Sequence, residues 1–114
     1  MRAIFVLNPI SGVVNKSGLP KLIDQYIDHE KFDYEIRYTE RAGHATEIAK
    51  EAVSAGIDVV VAVGGDGTVN EVGRGLIHSK TAMAIIPCGS GNGLARHLSI
   101  PINIRKSIEI LNAF

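Results

Sequence analysis

The stretch Val61 to Glu71, VAVGGDGTVNE, places three glycines and one aspartate between a run of valines and a helical pattern. Upstream, Asp58-Val-Val-Val-Ala-Val63 is apolar after its first residue, which suits a strand buried on both faces. Downstream, Val69, Val72, Leu76 and Ile77 recur at the spacing of one helical stripe. The stretch is therefore a strand-to-helix junction, and open parallel sheets bind their ligands beyond such strand ends.

The same alternation extends in both directions. Ala3-Ile-Phe-Val-Leu7 is a second continuous apolar run, ended by Asn8-Pro9. Leu19, Leu22, Ile23, Tyr26 and Ile27 form a helical stripe. Asp33 to Thr39 alternates and reads as a more exposed strand. Ala45, Ile48, Ala49, Ala52 and Val53 form another stripe, which Gly56 stops. Ala82 to Ile86 is a further strand ended by Pro87, a short helix is expected near 93–98, and Ile104, Ile108 and Leu111 begin a last helix. Strands alternating with helices, most strands apolar throughout, predict an α/β fold with a parallel sheet covered on both faces. Four or five strands can stand alone, but the last helical pattern suggests that more chain once followed.

The glycines at 64, 65 and 67 let the backbone take positive φ and let a ligand touch the main chain. The helix start adds N–H groups and partial positive charge, which suit phosphate. Asp66 repels a bare phosphate. It makes sense beside a Mg²⁺ ion bridging to a polyphosphate, or as a group handling a proton or hydroxyl. The alternative is a tight turn with Asp66 as helix cap, for which one glycine would suffice. Three more segments emerge on the same edge: Asn8 to Gly12, Thr39 with Arg41, Gly43 and His44, and Cys88 to Gly93.

Composition narrows the class. The 114 residues are 46% hydrophobic, enough for one domain with an aliphatic core, and there is no Trp. Twelve basic residues balance twelve acidic ones, which argues against a nucleic-acid partner. A single cysteine, Cys88, precludes an internal disulfide and suggests a reducing, cytoplasmic setting. No run approaches the ~20 apolar residues of a membrane span. Two familiar phosphate loops fail. Lys16-Ser17 lacks the glycine spacing of a P-loop, and Gly89-x-Gly91-x-Gly93 lacks that of a dinucleotide fingerprint.

Gly64-Gly-Asp-Gly-Thr-Val-Asn-Glu71 resembles the signature of the diacylglycerol kinase catalytic domain family, which includes bacterial diacylglycerol kinase-like, sphingosine and ceramide kinases. Asn8-Pro-Ile-Ser-Gly12 is similar to its first nucleotide motif, and Pro87 to Arg96 to its third. The GGDG core alone also resembles loops of NAD kinases and phosphofructokinases. The resemblance implies a three-layer, doubly wound, mostly parallel sheet of the NAD kinase/diacylglycerol kinase type, with residues 1–114 forming the ATP-binding N-terminal domain. A β-rich second domain, absent from this chain, would carry the lipid pocket and the catalytic base. ATP and Mg²⁺ are the implied cofactors. The nucleotide contacts carried over by position are Asn8, Pro9, Ile10, Ser11, Gly12, Thr39, Gly65, Asp66, Gly67, Thr68, Val69, Asn70, Glu71 and Ser90, with Asn92 supporting the loop or the phosphates. Asp66 would be the catalytic residue near the transferred phosphate and the nucleotide-bound Mg²⁺.

The resemblance implies a lipid hydroxyl as acceptor, peripheral membrane contact, and an isolated chain that folds, self-associates through an exposed apolar patch into a homo-oligomer, and phosphorylates no lipid. Ser90-Gly-Asn-Gly93 replaces the commoner bacterial pattern of Thr at 90 and Asn-Asp at 92–93 and is closer to sphingosine kinases. The acceptor therefore stays open between a diacylglycerol and a sphingoid base. An NAD kinase-like or other small-molecule kinase, and a nucleotide-binding module without activity, are the alternatives.

Overall fold

A computed structural model describes residues 1–9, 18–87 and 104–114. Four strands alternate with helices: β1 (Arg2–Leu7), α1 (Leu19–Tyr26), β2 (Asp33–Tyr38), α2 (His44–Ser54), β3 (Val59–Gly64), α3 (Asp66–Leu76), β4 (Ala82–Pro87) and α4 (Ile104–Asn112). Every strand pairing is parallel, in the order β2-β1-β3-β4. β1 and β3 are central, so both of their faces must be apolar, and both read as unbroken apolar runs.

Alternation along the strands divides the core into two layers. Ala3, Phe5, Leu7, Val59, Val61 and Val63 pack with Leu19, Ile23, Ile108 and Leu111 of α1 and α4. Ile4, Val6, Val60 and Ala62 pack with Ile48, Ala49, Ala52, Val69 and Val72 of α2 and α3. Helices on both faces make the three-layer, doubly wound α/β fold that the alternating pattern predicts. β2 lies at an edge, and its partly exposed, charged register matches the alternation of DYEIRY. Burial first, then the Asp24 carboxylate that accepts its hydrogen bond (2.8 Å), pushes the Tyr34 phenol up to about 12.

One expected stripe position is displaced. α3 ends at Leu76, and Ile77 takes extended geometry and is 62% exposed. The Ser79 N–H and hydroxyl both donate to the Leu76 carbonyl, and His78 adopts a φ of 60°. That turn rotates Ile77 off the helical face. The short helix expected near 93–98 lies outside the described residues.

The contact between α2 and α3 depends on Gly75. A Cβ there would sit 2.5 Å from the Ala49 Cβ and 2.7 Å from the Thr46 carbonyl oxygen. The Thr46 hydroxyl donates to the Glu71 carbonyl (2.7 Å) across the same seam.

On the other face Asn112 fastens α4 to α1. Its Oδ1 accepts the Asp28 N–H (2.8 Å), and its Nδ2 donates to the Tyr26 carbonyl (2.8 Å) at the end of α1. The Lys31 ammonium donates to the carbonyls of Asn112 and Phe114 at the end of α4. Asn112→Ala removes both side-chain bonds and leaves two backbone groups to find other partners. We expect a loss of about 1–2 kcal/mol, measured by urea unfolding. A change indistinguishable from zero would mean that the Asn112 side chain does not help to hold α4.

Candidate functional site

β3 ends at Gly64, whose φ of 150° is a conformation that side chains rarely adopt, and a Cβ there would meet the Thr68 hydroxyl at 3.1 Å. The turn itself therefore requires Gly64. The next two glycines differ. Gly65 holds the N-cap position of α3 with ordinary negative φ, and Gly67 lies in the first turn, exposed. A Cβ at either would meet none of the described residues within 4 Å. A Ser or Asp caps a helix better than Gly, and Gly inside a helix costs about 0.5–1 kcal/mol relative to Ala. Nothing among the described residues requires these two bare positions.

α3 begins with Asp66, so the cap position belongs to Gly65 and not to the aspartate. The first helical bond runs from the Val69 N–H to the Gly65 carbonyl. The N–H groups of the turn before it are those a helix offers to caps, water or anions. Asp66 is half-buried at this start.

The sheet order sets the position. From β1 the chain moves outward to β2, then crosses back to β3 on the other side. The switch point lies between β1 and β3, where open parallel sheets hold ligands. A cavity of about 290 Å³ opens there, lined by Asn8, Thr39, Glu40, Arg41, Ala42, Ala45, Thr68 and Glu71. Its walls are fixed by local bonds. Thr39 is buried, and its N–H continues the ladder to the Leu7 carbonyl (2.8 Å). The Glu40 N–H donates to His44 Nδ1 (2.9 Å), which pins the loop before α2. The Arg41 guanidinium pairs with the Glu47 carboxylate. The Thr46–Glu71 bond ties α2 to α3 beside the cavity.

Of the residues picked from the sequence, Asn8, Thr39, Thr68 and Glu71 come together on this one cavity. Gly65, Asp66 and Gly67 form the adjoining helix start, and Pro9 follows Asn8, half-buried. Val69 points the other way, 3% exposed in the core with Val6 and Ala62, while Asn70 is exposed. Ile10, Ser11, Gly12, Ser90 and Asn92 lie outside the described residues. Glu40, Ala42 and Ala45 line the cavity without having been singled out as ligand contacts. Their signal is positional, since any residue following β2 reaches the site once β2 pairs with β1.

Comparisons with known proteins bear on this geometry. The family model described as "Diacylglycerol kinase catalytic domain" matches residues 2–113. A Bacillus subtilis (strain 168) protein named diacylglycerol kinase is 37% identical over 103 residues, covering 88% of this chain and 34% of that protein. Its namesake in Staphylococcus aureus (strain JH9) is 37% identical over 115 residues, covering 96% and 36%. A crystal structure of a diacylglycerol kinase from Bacillus anthracis str. Sterne superimposes with a TM-score of 0.80 at 29% identity, over 98% of this chain and 42% of that one. The chain thus spans about a third of the length of the curated relatives it matches. With a family model matched almost end to end and the same fold in a relative, the chain belongs to the diacylglycerol kinase catalytic domain family.

Proposed function

We propose that this chain binds the phosphates and ribose of ATP at the β1/β3 switch point and is the nucleotide-binding part of a kinase that phosphorylates a lipid hydroxyl. The observation that carries the reading is the pair Gly65 and Gly67. Both are bare at a helix N-terminus, and among the described residues a Cβ at either would meet nothing within 4 Å. Phosphoryl transfer asks for positioning and charge neutralisation more than covalent chemistry. A helix start, close backbone approach and one carboxylate supply those needs. The kinase names of the relatives support the reaction class.

Among the described residues no three His, Cys, Asp or Glu side chains cluster to hold a metal ion. One carboxylate at the helix start, Asp66, fits a Mg²⁺ that arrives on the nucleotide, because Mg²⁺ in kinase sites takes one or two carboxylates beside the phosphates. When bound, that cation neutralises phosphate charge. Asp66 would hold the cation or receive a hydrogen bond from the acceptor hydroxyl, and the polar walls from Asn8, Thr39 and Glu71 would orient the nucleoside. The catalytic base and the lipid pocket belong to the additional chain of the longer relatives. The acceptor is a diacylglycerol or a sphingoid base. No helix among the described residues is long and apolar enough to cross a membrane.

Gly67→Ala separates ligand approach from stability. The new methyl meets no atom of the described residues within 4 Å and favours the helix by roughly 0.5–1 kcal/mol. It also stands in the space assigned to phosphate. We expect a more stable protein with MgATP affinity weakened about tenfold or more, roughly the loss of one good backbone contact. Calorimetric titration beside thermal unfolding measures both. Unchanged affinity in the stabilised variant would remove the phosphate from this loop.

A further inference from the structure

Thr39, Glu40, Arg41 and Ala42 form one wall of the cavity at the β1/β3 switch point, and all four belong to the turn between β2 and α2. One end of this turn is fixed by the sheet, where the N–H of the buried Thr39 donates to the Leu7 carbonyl (2.8 Å). The other end closes on His44. The Glu40 N–H donates to His44 Nδ1 (2.9 Å), and the His44 N–H donates to the Arg41 carbonyl (3.2 Å). Gly43 makes the reversal with a φ of 79° and provides no side-chain cap for α2. The Arg41–Glu47 ion pair also spans the turn, but both partners are more than half exposed, and such solvated pairs contribute little. His44 is half-buried and is not among the described residues that line the cavity.

The chemistry of the Glu40 bond depends on charge. A backbone N–H can only donate, so Nδ1 must accept, which requires a neutral ring with its proton on Nε2. A protonated ring carries N–H groups at both nitrogens and would turn a donor toward a donor. Imidazole is the side chain whose ordinary charge change falls between about pH 5 and 8.

We propose that His44 is a positioning residue for nucleotide binding: its neutral ring holds the turn from Thr39 to Ala42 in the shape that meets the nucleotide, and protonation releases the turn and lowers affinity. The inference rests on the nucleotide reading of the cavity. The charged groups around the turn are Glu40 and the Arg41–Glu47 pair on the segment itself, Asp66 and Glu71 on α3, and the Arg37–Glu51 pair between β2 and α2. β1 contributes the uncharged Asn8. A cation gained near a polyphosphate would by itself tighten binding. The direction of the pH effect therefore separates a latch from simple charge attraction.

MgATP titrations of the 114-residue chain at pH 8 and pH 5.5, with Mg²⁺ in excess, test it in three forms: the parent, His44→Ala and His44→Asn. Asn carries Oδ1 on Cγ, where His carries Nδ1, so it keeps an acceptor in place and does not titrate. At pH 8 the Ala variant should bind about fivefold more weakly than the parent, in keeping with the net worth of one hydrogen bond, and the Asn variant within about twofold of the parent. At pH 5.5 the parent should fall to the level of the Ala variant, about fivefold below the Asn variant. Protonation of ATP and of the surrounding carboxylates acts on all three alike, so the ratios between them report His44. If thermal unfolding shows that the Ala variant does not fold, the ratio of parent to Asn variant at the two pH values decides alone. An unchanged ratio, or a parent that gains on the Asn variant at pH 5.5, overturns the proposal. A folded parent that binds no MgATP at pH 8 instead removes the nucleotide reading of the cavity, and this inference with it.

Discussion

Asp66→Asn in the longer kinase is expected to lower kcat by about 100-fold or more while leaving MgATP affinity within a few-fold. The substitution keeps size and hydrogen-bonding capacity and removes only the charge. Asp66 opens α3 between the two bare glycines, and Gly65 holds the cap position. A helix cap would therefore be the wrong account of this carboxylate. At a helix start that also attracts phosphate, such a charge suits a cation on the nucleotide or an acceptor hydroxyl. Its cost in the resting protein should be small, because an acidic group in the first turn favours the helix dipole. The variant should unfold within about 1 kcal/mol of the parent. Steady-state kinetics with diacylglycerol and sphingosine in mixed micelles, beside nucleotide affinity, gives the split. A variant with near-normal kcat would reduce Asp66 to a structural role at the helix start.

The second large effect is on folding. Gly75→Ala should destabilise the chain by about 1–3 kcal/mol, as overpacking at a fixed contact does, even though Ala favours a helix interior by roughly 1 kcal/mol over Gly. The new Cβ would lie 2.5 Å from the Ala49 Cβ and 2.7 Å from a backbone oxygen, neither of which is the end of a flexible side chain. α2 and α3 must separate, which strains the Thr46–Glu71 bond beside the cavity. Gly73→Ala, on the same helix but facing open space, is the control and should stabilise. Urea unfolding of the pair measures both signs. Equal stabilisation by the two substitutions would mean that the helices are not in this close contact.

The two glycines also show where the sequence is legible. The alternation of apolar runs and helical stripes was enough to specify a parallel sheet with helices on both faces, because β1 and β3 are buried on both sides and announce it residue by residue. DYEIRY disclosed an edge for the same reason in reverse. Gly75 carries no comparable mark, since its need arises from Ala49, a residue far away along the chain. Ile77 matched the helical spacing but fell outside the helix, because the turn at His78 is set by local hydrogen bonds that periodicity does not register.

At the site, the junction glycines and Asp66 stood out because the turn uses more glycine than a turn requires. Glu40, Ala42 and Ala45 did not, since a cavity wall is made by the pairing of β2 with β1 and not by any motif of its own. Asn112 was equally silent, because its two partners lie in the loop after α1 and at its end, more than eighty residues earlier.

The central claim is that the GGDG junction and the adjoining cavity at the β1/β3 switch point hold the nucleotide. Amide NMR of the 114-residue chain, titrated with ATP in the presence of Mg²⁺, tests it most directly. Saturating shifts at Gly65, Asp66, Gly67 and Thr68, joined by Asn8, Thr39 and Glu71, are predicted, with the β4 and α4 amides of Met83 and Ile110 unmoved. Shifts that avoid Gly65 and Gly67 and gather instead along β4 and α4 would contradict it.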